Sequence, residues 1–382
     1  MPPSPPCKLL VVSASIGGGH VAAGRALEQA ARERGIVCEH VDLLDYTTPA
    51  FRRIYRHGYF ELVKSAPNFV DWLGKRLDRL PQPGASRQVR IMTRLTRGLT
   101  RLVSYRLPRH IRRYEPDALV HTHFLPPQIL ARLGSRPHVP QSVVLTDYAA
   151  HRLWLQPDIS RYFVATEQIC AHLLSTGIPA AQFEVTGIPI DLRYASLPGR
   201  AEARATLELP GRDTLLLMAS GLDEGTLRHI LRELMTLRRP LQVVVICGRS
   251  PPYEDLVKRE LEGYDGLMRF KVLGFTTDVP LYLAAADLLL GTPGGLTPSE
   301  ALAAGLPFAL VQPSPIQEEA HANHLLEGGA GLRVEPLAVL AHKLKSFFDD
   351  PARQAAMREA ARRGGKPGAA RDVIESLVSR PL

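Results

Sequence analysis

Apolar positions in this chain gather into short, unbroken runs separated by segments of helical composition. "KLLVVSA" from Lys8, "VCEHVDLL" from Val37, "ALVHTH" (118–123), "SVVLTD" (142–147) and "YFVAT" (162–166) have the length and β-branched content of strands buried on both faces. The first intervening helix is expected over Val21 to Arg34, with Gly35 as its stop. The Gly- and Pro-containing stretch "FEVTGIPIDLRYASLPGR" (183–200) reads as a connection. The pattern then restarts with "TLLLMAS" (214–220), "LQVVVICG" (241–248), "MRFKVLG" (268–274), "ADLLLGT" (286–292) and "PFALVQ" (307–312). Strands alternating with helices predict parallel sheets covered on both faces. At 382 residues the chain is long enough for two such cores. The expectation is an α/β protein of two Rossmann-like, doubly wound domains, residues 1–190 and 191–382. The second ends in a basic helical tail from Pro351. Open parallel sheets bind ligands beyond the C-terminal ends of their strands. Two domains facing each other across a cleft would bring both ligand edges together.

Strand-end residues therefore carry the chemistry. After the first strand, Gly17, Gly18 and Gly19 permit close backbone approach to a ligand, and His20 adds an ionisable imidazole. An imidazole can take a proton near neutrality, and a helix N-terminus favours its neutral form. Asp147 and His151 in "LTDYAAHRLW" (145–154) are alternative bases. A histidine at a helix start is equally an ordinary cap or surface residue. Gly17-x-Gly19-x-x-Ala22, with Asp42 about twenty residues on, also fits a loose dinucleotide fingerprint, which keeps a nicotinamide-dependent oxidoreductase open. His121 and His123 share a strand face without a third ligand nearby and read as strand-end residues, not as a metal site.

A second glycine turn lies in "GTPGGLTPSEALAAGLP" (291–307). Thr297-Pro298-Ser299-Glu300 has the form of a capping box, with Pro298 as the first helical residue and Gly305 as the helix stop. Free N–H groups at such a turn suit a phosphate, although Glu300 in the plain reading only caps its helix. Phe275 and Thr276 stand at one neighbouring strand end, and Gln317, Glu318, Glu319 and Asn323 at another. Together they point to a nucleotide-like ligand in the second domain.

"GFTTDVPLYLAAADLLLGTPGGLTPSEALAAGLPFALVQPSPIQEEAHAN" resembles the nucleotide-sugar half of GT-B glycosyltransferases of family 28. These include the monogalactosyldiacylglycerol synthases, the processive diacylglycerol glucosyltransferases and the peptidoglycan lipid glycosyltransferase. "GGGHVAAGRAL" and "LTDYAAHRLW" are similar to the diacylglycerol branch, where a Gly-Gly-Gly-His turn and a Thr-Asp-x-x-x-His-x-x-Trp segment recur. The resemblance implies an inverting transfer of galactose or glucose from UDP to diacylglycerol, without a metal or other cofactor. It places His20 as base, Asp147 and His151 beside it, and Gly18, Gly19 and Trp154 on the acceptor side. It assigns Ser220, Gly221, Phe275 and Thr276 to the donor nucleotide, with the last two facing uracil. Gly294, Gly295, Leu296 and Thr297 would cradle the diphosphate, Glu300 would bind the ribose, and Gln317 and Glu318 the sugar. The chain differs from the family pattern at Thr292, where relatives carry lysine, and at Asp223-Glu224, in a loop that is usually glycine-rich. These differences keep open a GT-B-like protein that has lost donor binding.

Charge adds a partner. Sixteen Lys or Arg and three acids lie between Phe51 and Arg113, a local balance of +13 in a chain of net +9. Arg87, Arg90, Arg94, Arg97 and Arg101 repeat at helical spacing, opposite Met92, Leu95, Leu99, Leu102 and Val103. Surface helices packed on the core would look like this. So would a membrane-docking face that meets anionic headgroups. Basic stripes also suit nucleic acid, but no recognised motif supports that partner. The four cysteines are scattered, which predicts neither a disulfide framework nor a zinc site. "MPPSPPCKLL" lacks the features of a signal peptide. The expected location is the cytoplasm, peripheral on the inner face of the cell membrane.

Overall fold

The structure, a computed structural model, describes residues 8–53, 106–133, 139–156, 158–312 and 317–379. It divides into two units, Met1–Leu192 with Gly368–Leu382, and Arg193–Pro367. The arginine stripe from Arg87 to Arg101 lies outside the described residues.

The first unit is built on six parallel strands: β1 (Lys8–Ser13), β2 (Val37–Asp42), β3 (Ala118–His121), β4 (Gln141–Val144), β5 (Arg161–Val164) and β6 (Phe183–Val185). Their order is β2-β1-β3-β4-β5-β6, so the chain reverses direction of travel across the sheet between β1 and β3. Alternate residues of β1 enter different cores, as the two-residue period of a strand requires. Leu9 and Val11 pack with Ala26, Leu27 and Ala30 of α1 (Gly18–Glu33). Leu10 and Val12 pack with Leu107 and Ile111 of α2 (Arg106–Tyr114), and with Ile129 and Leu130 of α3 (Leu125–Leu133). α4 (Glu167–Leu174) follows β5.

The second unit has strands β7 (Thr214–Met218), β8 (Gln242–Ile246), β9 (Arg269–Leu273), β10 (Leu288–Gly291), β11 (Phe308–Val311) and β12 (Gly331–Val334). Their order, β12-β11-β10-β7-β8-β9, is the Rossmann arrangement, with its switch between β7 and β10. Its helices are α5 (Arg200–Thr206), α6 (Glu224–Thr236), α7 (Pro251–Glu260), α8 (Val279–Ala285), α9 (Thr297–Ala303), α10 (Gln317–Glu327), α11 (Leu340–Phe348) and α12 (Pro351–Gly364). Asp287, just before β10, is buried among Arg200, Arg204 and Arg358 and also accepts the Thr214 N–H. One carboxylate thereby ties α5, α12 and the start of β7 together.

The structure differs from the expected elements and bounds in three respects. "FEV" within the expected connection is β6, and "GLRV" is a twelfth strand; both are too short to stand out as apolar runs. Helix α1 begins at Gly18, not Val21, which puts His20 inside its first turn. The tail does not stay with the second unit. Its last helix, α13 (Ala369–Ser379), lays Ala370, Val373, Ile374 and Leu377 on the α1 face of the first sheet. Arg371 pairs with Glu33, and Arg161 donates to Ser376.

Candidate functional site

The switch point of the first sheet gathers the opening glycines and five aromatic side chains. Gly17 has φ +88°, a left-handed conformation that turns the chain from β1 into α1. A Cβ placed on Gly18 would meet nothing within 4 Å, so this part of the turn faces open space. His20, half-buried, brings its Nδ1 to 3.0 Å from the Thr122 carbonyl oxygen beyond β3 and 2.6 Å from Thr146 Oγ1 beyond β4. Thr122 Oγ1 donates back to the His20 carbonyl at 2.8 Å. The His123 ring stands edge-on to His20 at 4.5 Å between centroids. Phe124, His151 and Trp154 complete the group, with Trp154 5.6 Å from Phe124 and 5.9 Å from His151.

His20, His151 and Trp154 thus come together, and Asp147 is buried next to Thr146. The Trp154 indole is fully buried, and its N–H has no hydrogen-bond partner among the described residues. His123 accepts the Leu125 N–H at Nδ1. Burial, then the neighbouring His20 and His151, hold its pKa well below the ordinary histidine value. His121 points elsewhere: it bonds Gln141 at 3.0 Å, and burial lowers its pKa to about 4. The two histidines of "VHTH" therefore do not act as a pair. Asp42 does not wait for a ribose. Its Oδ1 accepts the Ser15 and Leu44 N–H groups at 3.1 and 3.0 Å, which fastens the glycine turn to the end of β2.

In the second unit the expected donor residues follow the ends of β7, β9, β10 and β11. Gly221 lies so close to Thr292 that a Cβ would run into its Oγ1. A Cβ on Gly294 would fall 2.7 Å from Glu318 Oε1. Gly295 has φ +58° and starts the turn into α9. The expected capping box does not form. Leu296 occupies the capping position, Thr297 is already helical, and no side chain caps the helix. Its tight turn is closed instead by the Thr297 N–H on the Gly294 carbonyl at 3.3 Å. Glu300 sits half-buried in the first helical turn. Gln317 and Glu318 begin α10. Their neighbours Glu319 and Asn323 turn to Arg333, which holds the Glu319 pKa below the usual carboxylate range.

Phe275 is 55% exposed, and the Arg249 guanidinium stacks 3.7 Å from its ring centre. Thr276 accepts the Asp278 N–H at 3.0 Å. Ser220 is exposed beside Gly248. The departure at Asp223 has a structural reason: its carboxylate caps α6 by accepting the Thr226 N–H at 3.0 Å and the Thr226 hydroxyl at 2.6 Å. Those bonds lower its pKa. Sequence reasoning gave His123 no role beyond a strand end and missed Thr122, Thr146, Arg249 and His321. The buried His321 donates from Nδ1 to the Pro293 carbonyl at 2.9 Å and so braces the glycine turn. Its spacing of three from Glu318 on one helix was the available signal. Among the described residues no three His, Cys, Asp or Glu side chains converge as a metal site. Among them, too, no helix is long and apolar enough to cross a membrane.

Two parallel α/β units with their polar strand ends at the switch points define a GT-B glycosyltransferase fold. Known structures share it: MurG of Acinetobacter baumannii superposes with a TM-score of 0.64 at 17% identity, covering 97% of this chain and 99% of that one. The UDP complex of S. aureus MnaA gives 0.63 at 14% identity, covering 97% and 96%. Residues 20–190 match the monogalactosyldiacylglycerol (MGDG) synthase family and residues 200–364 the glycosyl transferases group 1 family. Processive diacylglycerol beta-glucosyltransferases of Bacillus mycoides and Bacillus cereus are 26% identical over 381 residues, covering 97% of this chain and 93% of theirs.

Proposed function

We propose that this glycosyltransferase moves a hexose, galactose or glucose, from UDP to the hydroxyl of diacylglycerol at an anionic membrane surface. The observation that carries the reading is the seating of His20: its Nδ1 faces two oxygens, the Thr122 carbonyl and the Thr146 hydroxyl, in a wall of aromatic rings at the switch point of the first sheet. With a proton on Nδ1, Nε2 keeps its lone pair for the acceptor hydroxyl. That hydroxyl oxygen attacks the anomeric carbon as the bond to the diphosphate breaks. Its proton passes to His20, UDP leaves, and attack opposite the leaving group inverts the anomeric configuration. Asp147 and His151 orient the glycerol hydroxyl, while the glycines give it a wall and the buried Trp154 backs His151 and Phe124 from behind.

The donor is assigned to the second unit. Gly294 to Thr297 receive the diphosphate and stabilise its growing charge with main-chain dipoles, without a metal. Phe275 and Thr276 face uracil, Ser220 and Gly221 line the nucleotide, Glu300 takes the ribose, and Gln317 and Glu318 the sugar. The names of the diacylglycerol relatives and the UDP bound to the S. aureus structure support this reading. Arg87, Arg90, Arg94, Arg97 and Arg101 are assigned to membrane docking from the cytoplasmic side.

The purified protein, given UDP-glucose or UDP-galactose with diacylglycerol micelles, should yield a glycolipid identifiable by mass and linkage. His20→Ala should abolish transfer and leave UDP affinity nearly intact by calorimetry. Near-normal turnover of that variant would assign the base elsewhere, and an absence of UDP binding by the wild-type protein would point to a fold that has lost its donor.

A further inference from the structure

We infer that Thr146 is a positioning residue for His20: its hydroxyl and the Thr122 carbonyl together hold the imidazole as the Nδ1–H tautomer. The inference rests on the reading of His20 as the base. The 2.6 Å contact between Thr146 Oγ1 and His20 Nδ1 has two chemical forms. Either the hydroxyl donates to a bare nitrogen, or it accepts from a protonated one. The Thr122 carbonyl oxygen, 3.0 Å from the same nitrogen, decides between them, because it can only accept. A bare Nδ1 would turn its lone pair toward the carbonyl lone pairs in a place closed to water, where Thr122 is 0% and Thr146 3% exposed. A proton on Nδ1 satisfies both oxygens. The Thr146 hydroxyl proton is then directed to the Thr122 carbonyl, 3.4 Å away.

The carbonyl is itself immobilised. The Thr122 hydroxyl donates to the His20 carbonyl at 2.8 Å, so helix and strand end grip each other in both directions. The arrangement fixes ring orientation as well as tautomer. Two neutral oxygens do at Nδ1 what a carboxylate does for other histidine bases. If Thr146 donated instead, the proton would sit on Nε2 and the ring would enter the reaction as a donor, unable to accept from the lipid hydroxyl.

The test is 15N NMR of the histidine-labelled full chain, with His20→Ala used to assign the resonances. A pyrrole-type Nδ1 and a pyridine-type Nε2 on His20 are expected; the reverse pattern overturns the inference. Thr146→Val, which keeps the shape and loses the hydroxyl, should lower kcat about ten-fold. The donor KM should stay within about two-fold, since the contacts of this hydroxyl are with His20 and the Thr122 carbonyl. Thr146→Ser should restore the rate. A wild-type kcat in Thr146→Val would remove Thr146 from the positioning of the ring, and a rate that stays low in Thr146→Ser would do the same. Should His20→Ala keep its turnover, the base reading fails by itself, and the wild-type NMR pattern still decides how the ring is held.

Discussion

His123 presents its ring edge-on to His20 with 4.5 Å between centroids, and it does so as a neutral group. Its Nδ1 already accepts the Leu125 N–H, and burial beside two other imidazoles lowers its pKa well below the usual value. A neutral neighbour suits the role proposed for His20, because a charged one would oppose the cation that proton uptake creates.

Buried neutral histidines make stability fall in acid. His121 has a folded pKa of about 4 against a reference of 6.5, so between those values the unfolded chain binds the extra proton. Stability should therefore be lost as pH drops from about 6.5 to about 4, by up to about 3 kcal/mol for this residue, and then level off. Urea unfolding at pH 7.5 and pH 5 reads the difference. His121→Gln, which retains an N–H donor for Gln141, should shrink it; an unchanged difference would assign the acid sensitivity to other groups.

Gly294 and Gly295 should respond differently to alanine. The new methyl at 294 meets the movable carboxylate of Glu318, so the fold should survive while the apparent KM for the UDP-sugar rises about ten-fold. At 295 the φ of +58° makes the cost conformational, about 1 kcal/mol of stability. Thermal melts beside donor titrations separate the two effects, and equal melting temperatures would contradict the strain argument.

Asp287→Asn should destabilise the second unit by about 3 kcal/mol, because it leaves three guanidinium groups clustered without their shared anion. The partial exposure of Arg200 moderates the loss. Denaturant unfolding measures it, and a change within 0.5 kcal/mol, roughly the scatter of surface substitutions, would show that solvent already screens the cluster.

If Asp223 serves as a cap, Asp223→Ala should cost about 1 kcal/mol of stability, while Asp223→Asn costs less. Neither should alter UDP affinity by more than about two-fold. A marked gain in UDP affinity on removing the carboxylate would show that it opposes the diphosphate.

Changing the five arginines at 87, 90, 94, 97 and 101 to glutamine should weaken sedimentation with anionic liposomes and flatten its salt dependence. Equal binding by both proteins would place the docking surface elsewhere.

Much of the frame was legible along the chain. Ten of the strands declared themselves as apolar runs because a strand covered on both faces has few polar positions to hide among. The glycine turns at 17–19 and 294–295 were visible because a left-handed φ or a close approach leaves its mark in residue type. His20 was conspicuous for the same local reason. The family likeness extended these readings to the expected donor residues, which the fold places after β7, β9, β10 and β11.

What surrounds His20 depended on packing between distant segments. Its two oxygen partners lie 102 and 126 residues away, and no local pattern marks Thr122 or Thr146 for that role. Adjacent Glu318 and Glu319 look alike in sequence, yet one lies against Gly294 and the other pairs with Arg333, because successive side chains leave a helix in different directions. The tail returns to the first unit since Val373, Ile374 and Leu377 find their apolar partners on α1. Periodicity and turn chemistry are local and can be read from a string of residues. Which side chains meet is settled by burial and by hydrogen bonds that exist once the sheet order has brought the strand ends together.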